Sequence, residues 1–494
     1  MNKFWKSALA ASALVLLSAT ASLAAKTDLV LGVVLEPPHL DPTAGAATAI
    51  GEVVYANVFE GLTRINAKGE VLPALAESWT VSDDGKIYTF KLHKDVKFHD
   101  GTAFDAQDVK FSLDRARDEK SVNPQKPLFA AIDTVEVVDP LTVKVTLKQP
   151  NGDFLYNMGW AAAVIVAPES ADTNKEKPVG TGPFKFDTWA KGSQIVISKN
   201  PAYWGTPVAL DKATFRIIPD PAAATAALLA GDVQAFPVFP SYEAVPQFQA
   251  DPRFKVVIGT TEGETVLGMN NQKPPFDNLK VRQAIGHAID RKTLIDGAMF
   301  GLGTPIGSFF PPHHPAYIDL TGESAYDPAL SKKLLAETGH PNGFKTTLKL
   351  PPPVYARRGG EIIAAELREI GIEAEIIPVE WAQWLEQVFK GRDYDMTIVS
   401  HTEPNDLNIF ARDNYYFNYT SPAFREVIKQ IEATSDKAKR TELYQQAQKI
   451  LAADAPVAFL FQLPKTGIWD AKVEGLWENG PIPANDLTAV KWAE

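Results

Sequence analysis

Apolar and polar positions along this chain follow two alternating periods. In KIYTFKL (86–92) the period is two, with Tyr88, Phe90 and Leu92 on one face, which predicts a half-buried strand. Asp83-Asp84-Gly85 just before it marks a tight turn. In FDAQDVKFSLDRA (104–116) the period lengthens to that of a helix. Val109, Ser112, Leu113 and Ala116 fall along one side, and Asp105 stands where an N-cap is expected. TVEVV (134–138) and LTVKVTL (141–147), split by Asp139-Pro140, predict a hairpin, so residues 51–176 read as an α+β block. GSQIVISKN, ATFRIIP and DVQAFPV predict further strands. An Ala-rich helix from Pro221 to Ala230 lies between the last two and stops at Gly231. From 281 onward the helical stretches VRQAIGHAIDRKTLIDGAM and SKKLLAETG alternate with the strands TTLKL, IEAEIIPV and YDMTIVS, which predicts a second large α/β lobe.

The end of that last strand raises a chemical question. In YDMTIVSHTEPNDLN (394–408), a continued period of two puts His401 and Glu403 on the same face, at the carboxyl end of a buried strand. Ligands of open α/β sheets bind beyond such ends. A solvated loop start and a ligand site both fit this pattern. Trp381, Trp384, Leu385 and Val388 are spaced as one helix face, which fits core packing as well as a pocket wall.

Composition narrows the class. With 494 residues, 45% of them apolar and 22% charged, the chain is an ordinary globular sequence of two or three domains. A formal net charge of -11 argues against nucleic acid or an anionic membrane as partner. The absence of cysteine excludes disulfides, thiol catalysis and zinc-thiolate sites. Lys3 and Lys6, the apolar run Ala8 to Leu17 and the small residues Ser22 to Ala25 predict an export signal over 1–25, and hence a periplasmic protein. G-x-S-x-G, H-E-x-x-H and G-x-x-x-x-G-K-[ST] motifs do not occur. PVGTGPF (178–184) reads as a tight turn, and His313-His314 as part of a proline-bounded loop. No enzyme and no cofactor is expected.

HLDPT (39–43), the long stretch VFEGLTRINAKGEVLPALAESWTVSDDGKIYTFKLHKDVKFHDGTAFDAQDVKFSLDRA (58–116), GTGPFKF, NPAYWG, NNQKPPFDNLKVRQAIGHAIDRKTLI and GIEAEIIPVEWAQWL occur in that order. In these landmarks the chain resembles the large extracytoplasmic solute-binding proteins of ABC importers, in the peptide, dipeptide and nickel group. The resemblance implies an α/β, two-lobed periplasmic-binding-protein fold (type II, large class) with an additional α+β domain inserted in the first lobe. The implied division is a first lobe over 26–50, 177–265 and 463–494, the insert over 51–176, and a second lobe over 266–462. Crossing strands are expected near 265–271 and 458–464. The implied partners are a small peptide or peptide-like solute and an inner-membrane permease, with the protein acting as a monomer.

Site residues also follow from the resemblance. Glu403 falls where peptide-binding members carry the aspartate that holds the ligand's α-ammonium, with His401 beside it. Ser400 and Pro404 stand where those members have tryptophan and tyrosine, a departure that points toward opines, modified peptides or other cationic solutes. Trp381 matches a pocket-lining tryptophan, and Trp384 is assigned to the core. Ala46, Thr48, Thr265 and Val238 lie on segments that by resemblance approach the ligand, mostly through backbone, whereas Arg412, read from its place after the strand tip alone, fits a solvated arginine as well as a contact to a ligand carboxylate. A nickel chelate held by His401 and Glu403 is the next reading, then an oligosaccharide, and last an enzyme or chaperone.

Overall fold

The computed structural model describes residues 26–45, 47–402, 406–434 and 436–493. The expected export signal, Ala46 and Glu403 lie outside the described residues. A mixed sheet forms the backbone of the molecule. From edge to edge it runs Glu373–Pro378, Lys345–Leu350, Met396–His401, Phe254–Met269, Val457–Asp470, Ala235–Phe236, Asp28–Val33, Lys212–Ile217, Gln194–Lys199 and Phe184–Ala190. Separate apolar cores cover the two ends of this sheet. Leu29, Leu31, Phe184, Ile195 and Phe215 belong to one, and Leu267, Leu348, Ile363 and Ile398 to another. The fold is thus an α/β structure of two lobes sharing a single sheet.

Two long strands connect the lobes. Phe254–Met269 and Val457–Asp470 pair antiparallel from Phe254↔Asp470 to Thr260↔Pro464, and again from Glu264↔Gln462 to Gly268↔Val457. Between these stretches residues 261–263 face Leu463 alone, so the ladder is broken there and the strand is free to bend. Thr261 Oγ1 tidies the break by donating to Leu463 O at 2.8 Å and accepting from Gly263 N at 3.0 Å.

The α+β unit is a four-stranded antiparallel sheet, ordered Ala76–Val81, Ile87–Leu92, Thr142–Leu147, Ile132–Asp139, with the helix Ala106–Arg117 against it. That helix begins as its sequence predicts. The Asp105 carboxylate accepts from Gln107 N at 2.7 Å, and Asp108 reaches back to Asp105 N at 2.9 Å. The apolar core of the unit draws on residues from Leu62 to Ala167, whereas Ile50, Val53 and Val54 of the helix Thr48–Val54 pack into the first lobe. A boundary at 51 therefore falls inside a helix. The single helix expected over 281–299 is two, Leu279–His287 and Arg291–Met299. Asp290 interrupts it because its carboxylate accepts from Lys292 N at 3.0 Å and Thr293 N at 3.3 Å, capping a new start.

Three of the sequence landmarks meet at one carboxylate. Glu60 of VFEGL is 8% exposed and accepts from Thr181 Oγ1 of GTGPF at 2.8 Å. It also accepts from Tyr203 OH and Trp204 Nε1 of NPAYWG, at 2.8 and 2.9 Å. Burial pushes the Glu60 carboxyl up, against the pull of these three donors. The GTGPF turn itself lies on the backbone of residues 57 and 58: a Cβ at Gly180 would stand 2.0 Å from Val58 O, and one at Gly182 2.4 Å from Asn57 O. The two glycines are required by this close approach, and no phosphate is needed to explain them.

Candidate functional site

The three parallel strands of the second lobe, Lys345–Leu350, Glu373–Pro378 and Met396–His401, end on the same side of the sheet. Just past the last of them, Thr402 enters a pocket of about 90 Å³ whose other walls belong to the opposite side of the molecule. Pro42, Thr48 and Gly51 come from the first lobe, Gln125 and Trp160 from the inserted unit, and Pro483 from the C-terminal segment. Loops from all three parts thus converge on the residue that precedes Glu403 in sequence. Thr48 is exposed at the start of its helix and lines this pocket. The walls at 124–125 and 160–162 were not signalled in the sequence, because they are brought in by the inserted unit from residues more than a hundred positions away.

His401 is not at an open strand tip. It is 8% exposed, its Nε2 lies 2.9 Å from Tyr416 OH, and Phe309, Tyr415, Tyr416 and Phe417 surround the ring. Burial, with a smaller contribution from Arg412, brings its pKa down to about 3, so the imidazole is neutral. Among the described residues no group of histidines and acids is arranged to hold a metal ion. Thr265 is also fully buried; it stands opposite Ser400 in the ladder, and neither hydroxyl has a hydrogen-bond partner.

The remaining expected residues are dispersed. Trp381 is 41% exposed, with its ring edge-on to Trp384 at 5.6 Å. Trp384 is buried and donates its Nε1–H to Thr397 Oγ1 at 2.9 Å, a core residue as assigned. Arg412 Nη2 is held within its own loop by Asp406 at 2.8 Å and Asn408 at 2.7 Å. Val238 is 45% exposed, while Phe236 and Phe239, which flank it in sequence, are buried edge-on to each other. Trp381, Arg412 and Val238 are not among the residues lining the pocket at Thr402.

Close to the broken ladder a second polar group ties the lobes together. His313 Nε2 lies 2.6 Å from Glu262 Oε1, and its Nδ1 lies 2.7 Å from Thr260 Oγ1. Thr260 N and Oγ1 in turn donate to Asn479 Oδ1 at 2.9 and 3.1 Å. The proline-bounded histidine loop is therefore a structural brace for the crossing strands. Arg440 of the helix Lys437–Asp454 pairs with Asp153 and donates to Gly152 O at 2.9 Å, joining the second lobe to the inserted unit.

Comparison with known proteins agrees with this architecture. Residues 70–423 match the model of "Bacterial extracellular solute-binding proteins, family 5 Middle". The glutathione-binding protein GsiB of Escherichia coli K12 is 32% identical over 464 residues, covering 89% of this chain and 90% of that one. Among solved structures, the periplasmic binding protein DppA of Helicobacter pylori, in complex with the peptide STSA, has a TM-score of 0.81 at 29% identity, covering 95% of this chain and 99% of that one. AgaA of Agrobacterium tumefaciens R10, in complex with agropinic acid, has a TM-score of 0.78 at 27% identity, covering 94% and 99%. Among the described residues no helix is long and apolar enough to cross a membrane. With two lobes on one sheet, loops of both meeting at a pocket, and most of the chain matched by the family model, the chain belongs to the family 5 bacterial extracellular solute-binding proteins.

Proposed function

We propose that this protein is the periplasmic binding component of an ABC importer, capturing a peptide or peptide-like solute between its lobes and delivering it to an inner-membrane permease as a monomer. The observation that carries this reading is the convergence of first-lobe, inserted-unit and second-lobe loops at Thr402. Glu403, next in sequence, holds a cationic group of the solute through charge-assisted hydrogen bonds. His401 supports that segment from the core and takes no part in contact. The peptide-bound DppA and the glutathione-binding GsiB support a peptide-like solute, and AgaA with agropinic acid supports an opine as the second reading.

The test is mass spectrometry of the ligand retained after gentle purification. Calorimetry then follows on wild type and Glu403→Gln, with that ligand and an analogue lacking its amine. Losing one partner of an enclosed charge pair costs about 2–5 kcal/mol. Equal discrimination between ligand and analogue by both proteins removes Glu403 from the site. A retained ligand that is neither peptide nor opine removes the proposed solute class.

A further inference from the structure

At the break in the crossing strands, the side chains of Asn479, Thr260, His313 and Glu262 stand in a row that passes from one lobe to the other. Asn479 belongs to the C-terminal segment, which Leu476 anchors in the first-lobe core and Gly480 N ties to Thr260 O at 2.8 Å. His313 belongs to a loop whose Phe309, Phe310 and Ala316 lie in the second-lobe core. Thr260 and Glu262 flank Thr261, where the ladder is interrupted. The direction of each hydrogen bond in the row is fixed from one end. Asn479 Oδ1 accepts from Thr260 N at 2.9 Å, so the amide oxygen is the atom that faces the Thr260 hydroxyl at 3.1 Å. That oxygen can only accept, so the single hydroxyl proton points to it. Thr260 Oγ1 then accepts from His313 Nδ1 at 2.7 Å, which places a proton on Nδ1. At the other ring nitrogen, Nε2 and Glu262 Oε1 are 2.6 Å apart, a contact that needs a proton between them whichever atom carries it. Imidazole and carboxyl together hold two protons, one more than a neutral imidazole beside an ionised carboxylate.

We infer that this row is a proton-dependent brace of the hinge: with the lobes closed, the Glu262–His313 pair holds a proton that it releases to water when they open, so closure strengthens as the pH falls. The lobes are in contact here, with Arg440 on Asp153, and a changed bend at residues 261–263 carries His313 away from Thr260 and Asn479. Parted and wet, an imidazole of ordinary pKa, about 6.5, and a carboxyl of about 4.3 hold one proton between them at neutral pH. In the brace Glu262 is 7% exposed, and burial raises its carboxyl against the pull of His313, which disfavours a bare negative charge there. Other titratable groups surround the break. Tyr156 of the inserted unit is pushed far above its ordinary range, by burial and then by Glu262, and stays protonated. His314, next in the loop, packs on Phe310 and Tyr444. Lys465, opposite Gly259 in the ladder, is brought down to about 8 by burial, against the pull of Glu52 and Glu478, and Glu52 is raised by its own burial. Substitutions within the row separate its proton from theirs. The brace works in this way whatever solute is carried.

The chain has no cysteine, so spin labels at Thr188→Cys and Glu375→Cys, exposed on the two outermost strands of the shared sheet, report lobe separation by double electron–electron resonance. With the row otherwise intact, the ratio of the shorter to the longer distance population is expected to rise about tenfold from pH 7.5 to 5.5. One proton contributes at most about tenfold per pH unit, and the open pair takes up its own proton below about pH 6.5. Glu262→Gln supplies an NH₂ that donates to Nε2 of a neutral imidazole, so the row forms without the extra proton. Its ratio is expected to be flat, and at pH 7.5 to match that of the intact row at pH 5.5. Thr260→Val keeps the shape and removes the acceptor at Nδ1, so the imidazole can carry its single proton on Nε2, and a flat ratio is expected again. His313→Ala breaks the row, with a flat ratio no higher than that of the intact row at pH 7.5. Melting curves establish that each variant is folded. A ratio that does not move with pH in the intact row overturns the brace. So does a pH dependence that Glu262→Gln or Thr260→Val retains, which would assign it to Glu52 and Lys465 instead.

Discussion

Replacing Glu60 offers a direct measure of what holds the sequence landmarks together. Its Oε2 accepts from both Thr181 Oγ1 and Trp204 Nε1, and its Oε1 from Tyr203 OH. Glu60→Ala strands three donors in a buried site, each worth about 1–3 kcal/mol when left unsatisfied. Because the cavity admits some relaxation, an overall loss of about 3–5 kcal/mol is expected. Glu60→Gln behaves differently. Its amide oxygen takes the place of Oε2 and keeps both bonds there, while its NH₂ faces Tyr203, whose hydroxyl rotates to accept. A loss below about 1 kcal/mol is expected. Urea unfolding of the three proteins, followed by tryptophan fluorescence and circular dichroism, gives the comparison, with coincident transitions required before midpoints are converted to free energies. If Ala and Gln lose the same amount, or Ala loses less than about 1 kcal/mol, the three donors do not depend on this carboxylate and the reasoning is refuted.

Asp153→Asn should weaken the bridge to Arg440. With side chains 15% and 28% exposed, the pair lies between surface and buried values, so about 1–2 kcal/mol is expected; small-angle scattering should show a more open molecule and calorimetry weaker solute binding, whereas an unchanged radius and affinity would make the bridge irrelevant to closure. His99 accepts from Gly180 N at 3.3 Å on Nδ1 and lies 2.9 Å from Gly182 O on Nε2, so protonation breaks the first bond. Burial brings its pKa down to about 4. The unfolded chain therefore binds the extra proton, and stability is full above about pH 6.5 and falls as pH drops toward 4, by up to about 3 kcal/mol; His99→Gln should flatten that slope in unfolding experiments at pH 4.5–7. The His401 ring should show no titration between pH 5 and 8 by nuclear magnetic resonance, given a pKa near 3. Trp381→Ala should leave the melting temperature nearly unchanged, because the side chain is 41% exposed; a large loss of stability would assign it to the core.

Much of the fold is legible because its signals are local. Asp105 with Asp108, and Asp220-Pro221 with Gly231, mark helix limits within a few residues, and the observed helices Ala106–Arg117 and Pro221–Ala230 obey them. The helix over 281–299 was overextended because its apolar period runs unbroken past Asp290, and only the cap geometry separates the two halves. The site is less legible. His401 carries the same sequence signature whether it faces solvent or an aromatic cage, and it is Phe309, far away in the chain, that helps to enclose it. Gln125 and Trp160 reach the pocket through tertiary placement alone, and no short-range pattern encodes that.

The position of Val457–Asp470 in the sheet has a consequence for how the chain matures. This strand lies between Phe254–Met269 and Ala235–Phe236, in the middle of the shared sheet, yet it follows both of them by some two hundred residues in the sequence. Until it is made, the two halves of the sheet have unpaired facing edges and cannot be joined, and the contacts that join them span some two hundred residues. Completing the native sheet therefore waits on contacts of long sequence separation, which makes the joining of its two halves a late step of folding. A chain ending before Val457 should be soluble only with a holdase bound, and adding the 457–470 segment as a peptide should rescue pairing across the gap.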